Sequence, residues 1–184
     1  MRLHHVAVAA AGAWSFAAVS YAVLETLSEH RSVLTLAVNV AVVVAGSLGI
    51  AVLVRVDHHV VALGWMGKAG IGMVGIGVAI SAVTWGAVNV YLIIQGVGYL
   101  IFGVALIRSQ AAPTISTVIV SGAFFTAPIV FLIADAAQIG TPNDYGDRDA
   151  AFALGFAVGA TLMVIGLLGW ARWLDQLPAP AQTS

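Results

Sequence analysis

Charge is what this chain has least of. Of its 184 residues only 8% are charged while 61% are hydrophobic, and the mean hydropathy is +1.02. Soluble domains carry roughly 25% charged residues, so a folded chain of this composition has no ordinary wettable surface. Water is not its principal solvent. A net charge of −1 offers no phosphate-neutralising patch, which argues against nucleic acid as a partner. Cysteine is absent, which excludes disulfide exchange, thiolate metal sites and cysteine nucleophiles. A single lysine, Lys68, stands against six arginines.

What the chain has in abundance is long apolar runs. They fall between polar breaks at about 6–24, 33–54, 60–80, 87–107, 115–137 and 150–171. Each is about the length a helix needs to cross a hydrocarbon core of ~30 Å at 1.5 Å per residue. None alternates polar and apolar residues at period two, as a barrel strand would. The expected fold is therefore all-α: a polytopic membrane protein with six transmembrane helices in one domain, residues 1–174, and a short flexible cytoplasmic tail, 175–184. The third run is rich in glycine, with Gly64, Gly67, Gly70, Gly72, Gly75 and Gly77, so its start can slip toward Lys68. In the fifth, Pro128 lacks an N–H and frees the carbonyl of Phe124, which predicts a kink.

Arginine placement sets the orientation. With the N-terminus inside, the inner segments hold Arg2, Arg55, Arg108 and Arg172, and the outer loops hold only Arg31 and Arg148. Both termini are expected in the cytoplasm of a multi-pass cell-membrane protein. Arg2, Arg55 and Arg108 are also evenly spaced, 53 residues apart, and the sequence Arg2-Leu-His-His-Val6 resembles Arg55-Val-Asp-His-His-Val60. Each arginine opens a unit of outward helix, outer loop and returning helix. The chain reads as three consecutive helical hairpins.

Few side chains are left to carry chemistry. Glu25 and Asp135 fall near the outer, C-terminal ends of the first and fifth spans, each following two small residues and an aromatic at four-residue spacing. A carboxylate there opposes the helix dipole and needs a cation, an arginine or a proton. One reading is a shared proton or cation site; the other is two carboxylates solvated at headgroup level. Lys68 is intramembrane if the third helix begins at Val60 and interfacial if it begins later. Gln95, Asn39 and Asn89 are polar residues within apolar runs, suited to bridging helices or lining a polar path. His4, His5, His58 and His59 are weak metal candidates, because adjacent residues diverge by about 100° on a helix and each pair offers one ligand. Gly155 and Gly159, and Ala9, Ala13 and Ala17, permit close helix approach. No nucleophile with a base, paired carboxylates or phosphate cradle is present, and no cofactor is implied.

The layout of short hairpins, with arginine at the inner ends and the glycine-rich returning run Gly96-Val-Gly-Tyr-Leu-Ile-Phe-Gly-Val-Ala-Leu-Ile-Arg108, resembles the small six-helix acid-resistance membrane proteins of the HdeD type. The resemblance covers residues 55–108 and the rest in outline; proline, frequent in the outer turns of those proteins, is missing from 25–32 and 81–86. It implies a role in membrane stress or acid tolerance and transfers no functional residue. The expected function is that of a small non-enzymatic membrane protein, acting in membrane stress response or as a membrane-embedded partner subunit. Its surroundings would be the lipid bilayer and either further copies of itself or another membrane protein. The alternative is a minimal proton or cation transporter using the outer-end carboxylates.

Overall fold

The computed structural model describes residues 3–26, 31–60, 63–83, 88–136 and 145–176. All secondary structure among them is helical: α1 (Leu3–Thr26), α2 (Arg31–His59), α3 (Gly64–Val83), α4 (Val88–Arg108), α5 (Thr114–Ala123), α6 (Thr126–Ala136) and α7 (Tyr145–Gln176). Among the described residues four stretches are long and apolar enough to cross a membrane: Leu36–His59, Gly64–Val83, Tyr91–Arg108 and Ala153–Gln176. Among its described residues the protein is all-helical, with the long apolar helices of a membrane protein. In lipid the backbone has no water to bond, so each apolar run closes its hydrogen bonds internally as a helix.

The fifth apolar run is two helices where one was expected. α5 ends at Ala123 and α6 begins at Thr126, and the interruption falls four residues before Pro128, where the missing N–H leaves the Phe124 carbonyl without its helical donor. Phe125 N–H donates to Gly122 O at 3.0 Å and Ile129 N–H to Phe125 O at 3.0 Å. Phe124 keeps right-handed angles, φ −68° and ψ −22°. The chain therefore bends without turning back. Other boundaries also move: α3 begins at Gly64, later than Val60, and α7 runs from Tyr145 to Gln176, beyond both expected ends. Gly64 takes φ +56°, which breaks the path from α2 and fixes the later start. α4 stops at Arg108 because Gln110 adopts φ +54°, a left-handed conformation rare for a residue with a Cβ. Pro113 then starts α5, accepting the Thr117 N–H at 3.1 Å.

Packing closes the helices into a circuit. α1 lies against α2 and α7, α2 against α3, α3 against α4, α4 against α5, and α7 against both α5 and α6. Small residues make this possible. A Cβ at Gly70 would come within 2.8 Å of Gly98 O and Phe102 N, and one at Gly98 within 2.8 Å of Gly70 O, so α3 and α4 touch backbone to backbone. Gly155 and Gly159 sit equally close to Ala127 and to Ala123 O, joining α7 to the broken pair. Large apolar side chains point outward instead, from every helix: Phe16, Val40, Ile76, Leu100, Ile115, Leu132 and Leu168 are all exposed. This is the arrangement of helices packed in lipid, where close van der Waals contact rather than water exclusion drives association.

Candidate functional site

The described acidic, basic and imidazole side chains lie at one end of the bundle, those of 25–31 and 135–149 falling outside the described side chains. They belong to the start of α1 (His4, His5), the end of α2 (Arg55, Asp57, His58, His59), the start of α3 (Lys68), and the ends of α4 (Arg108) and α7 (Arg172, Asp175). Contacts hold these termini together. His4 Nδ1 lies 3.0 Å from Asp175 Oδ1, linking α1 to α7. Arg108 Nη1 donates to Met66 Sδ at 3.7 Å, linking α4 to α3. Asp57 Oδ1 covers Gly67, where a Cβ would meet it at 2.7 Å. Lys68 is exposed, four residues into α3, at this rim. The His4 and His5 rings are 4.1 Å apart and those of His58 and His59 6.1 Å, yet among the described residues no three His, Asp or Glu converge on one point.

A different set of polar groups lies in the middle of the bundle. Tyr91, Gln95 and Tyr99, spaced by four on α4, are buried to 1% exposure or less, and that spacing puts them on one helix face. Glycines on α2 and α3 receive them. A Cβ at Gly46 would lie 3.5 Å from Gln95 Oε1, one at Gly77 2.5 Å from Gln95 Cγ, and one at Gly49 would collide with Tyr99 Oη. Tyr91 Oη, Tyr99 Oη and both amide atoms of Gln95 have no protein hydrogen-bond partner, and neither has Trp14 Nε1 on α1. Neighbouring polar groups are satisfied. Ser121 Oγ donates to Tyr99 O at 3.2 Å, and Trp170 Nε1 donates to Thr117 Oγ1 at 3.2 Å, which in turn donates to Pro113 O.

The break between α5 and α6 packs into this centre. The Phe124 ring stacks on Tyr99 at 5.0 Å and meets Trp14 edge-on at 5.2 Å. Phe156 of α7 completes the cluster, 6.5 Å from Trp14. A cavity of about 20 Å³ lies among Trp14, Phe124, Ala127, Gly155, Phe156 and Gly159. Each element contributes near its midpoint: Trp14 in α1, Gln95 to Tyr99 in α4, and the break itself in the fifth run. The arrangement can donate and accept hydrogen bonds at mid-bundle. It carries no formal charge.

Of the residues singled out in the sequence, Gln95 belongs to this centre. Asn39 is nearly buried and lines a shallow groove between α2 and α3 with Ser81, whose Oγ donates to Val78 O at 2.7 Å. Glu25 and Asp135 are carried by the last turns of α1 and α6, and their side chains, with that of Asn89, lie outside the described residues. Sequence reasoning missed Trp14, Tyr91 and Tyr99, whose signal was the four-residue spacing of both tyrosines from Gln95. The chain matches no protein-family model, no curated protein and no solved structure.

Proposed function

We propose that the chain is a six-span integral membrane protein, built as three consecutive helical hairpins with both termini in the cytoplasm. It works without catalysis, as a component that associates with other membrane proteins or with further copies of itself. The supporting observation is what the middle of the bundle is made of. Among the described side chains acids, imidazoles and cations lie at a rim, and the mid-bundle centre is built from an amide, two phenols and an indole. Two phenols are the only titratable groups there, and neither is paired with a carboxylate, imidazole or amine that would activate it. Four cationic side chains against two aspartates among the described residues of this rim support reading it as the cytoplasmic side. The likeness of residues 55–108 to the HdeD type adds membrane stress as the setting.

A second reading, proton or cation transport, is favoured by one observation: the fifth run is interrupted, and its outer half α6 carries Asp135. Discontinuous helices recur at the substrate sites of transporters. Flux measurements on the purified protein in proteoliposomes separate the two. The first reading predicts proton and cation leak equal to that of protein-free vesicles. Flux abolished by Asp135→Asn overturns it in favour of transport.

A further inference from the structure

We propose that the centre of the bundle is a water-binding site: ordered water molecules bridge Tyr91 Oη, the Gln95 amide and Tyr99 Oη along α4, and Trp14 Nε1 donates to water beside the Phe124 carbonyl. The inference goes beyond the proposed function and is independent of it, because it concerns only what satisfies these groups.

Five buried polar atoms without protein partners would be untenable dry. Each stranded donor or acceptor forfeits its bonds to water and gains nothing in return, and five of them rival the net stability of a whole domain. The groups do not bond one another either, since none of these atoms has a protein partner, and a bridging water is the small occupant that serves donors and acceptors alike. At Trp14 the observation is separate and agrees. The indole lines a cavity of about 20 Å³, and ~10–15 Å³ on the same measure admits one water. Phe124 lines the same cavity, and Pro128 cannot serve its carbonyl.

The chemistry selects water over other occupants. An ion would enter a centre without formal charge at the full penalty of desolvation. A lipid headgroup would need access, and these side chains are buried to 2% exposure or less. Toward the charged rim, fully buried Phe102, Leu106 and Trp170 close the interior, with Phe102 and Trp170 packed 6.2 Å apart. The water is therefore held and does not pass through.

Two measurements test the site. In the wild-type protein in lipid nanodiscs, with ¹⁵N-labelled indoles assigned through Trp14→Phe and Trp170→Phe, the Trp14 N–H exchanges with deuterated water within minutes and shows a cross-peak to water. The Trp170 N–H, bonded to Thr117, stays protected for hours. Equal protection of the two indoles, without a water cross-peak at Trp14, overturns the site there. Separately, Gln95→Leu and Tyr99→Phe lower Tm, since each removes a hydrated group and strands the waters of its neighbours. A rise in Tm or no change, as expected from deleting a dry unpaired group, overturns the file along α4. The exchange itself is read on the wild-type protein, so its outcome does not depend on how far the variants are destabilised once the signals are assigned.

Discussion

Gly98→Ala tests the backbone-to-backbone contact of α3 with α4. A Cβ at Gly98 would sit 2.7 Å from Val74 N and Val74 Cγ2 and 2.8 Å from Gly70 O, whereas ordinary van der Waals contact begins at about 3.4 Å. α3 and α4 must therefore separate by about 0.7 Å, and two of the three obstacles are backbone atoms that cannot rotate away. Overpacking of this kind costs about 1–3 kcal/mol, and rigid neighbours place Gly98 at the upper end. Alanine returns about 0.5–1 kcal/mol of helix propensity, leaving a net loss of about 2 kcal/mol. For a chain of this length that is a fall in Tm of roughly 4–8 °C. Gly72→Ala and Gly75→Ala are the controls on the same hairpin: a Cβ at either meets nothing within 4 Å, so both hold or slightly raise Tm. Thermal unfolding of the three variants in one detergent decides the matter. If Gly98→Ala melts with Gly75→Ala, the helices do not cross at Gly70 and Gly98, and the circuit of contacts is wrong at that point.

Three further substitutions probe other links. Thr117→Val removes the acceptor of the buried Trp170 N–H and should destabilise by about 1–3 kcal/mol, while Thr117→Ser restores most of the loss; equal melting of the two variants would dismiss the bond. Pro128→Ala returns an N–H to the Phe124 carbonyl and should straighten α5 and α6 into one helix. Spin labels at Ile115→Cys and Leu132→Cys, both exposed positions in a cysteine-free chain, would then report a longer distance, and an unchanged one would assign the bend to another cause. Asp175→Asn breaks the contact with His4, but Asp175 is 63% exposed, so screening leaves an effect of about 0.5 kcal/mol or less; a loss several times larger would mean that the two termini are more tightly coupled than this geometry allows.

The helices were legible because the few charges punctuate the apolar runs, and the break was legible because Pro128 removes one specific donor. The faces were not. A helix apolar all round carries no periodic signal of which side turns inward, so nothing in the run distinguishes Tyr99, fully buried, from Trp65, at 77% exposure. Gln95 stood out as an amide in an apolar stretch, whereas Trp14, Tyr91 and Tyr99 blended into it, since aromatic residues suit both core and lipid interface. The place of Lys68 turned on four residues at the start of α3. That start is fixed by the left-handed Gly64, and in a segment with six glycines composition alone does not single one out.

The central claim is a bundle whose charged rim faces the cytoplasm, and the absence of cysteine makes its orientation directly measurable. Single cysteines at Lys68, Ser109, Ser28 and Thr141 are each labelled with a membrane-impermeant maleimide in intact cells and again after permeabilisation. The account predicts labelling of Ser28→Cys and Thr141→Cys in intact cells, and of Lys68→Cys and Ser109→Cys only after permeabilisation. Labelling of Lys68→Cys or Ser109→Cys in intact cells would contradict it.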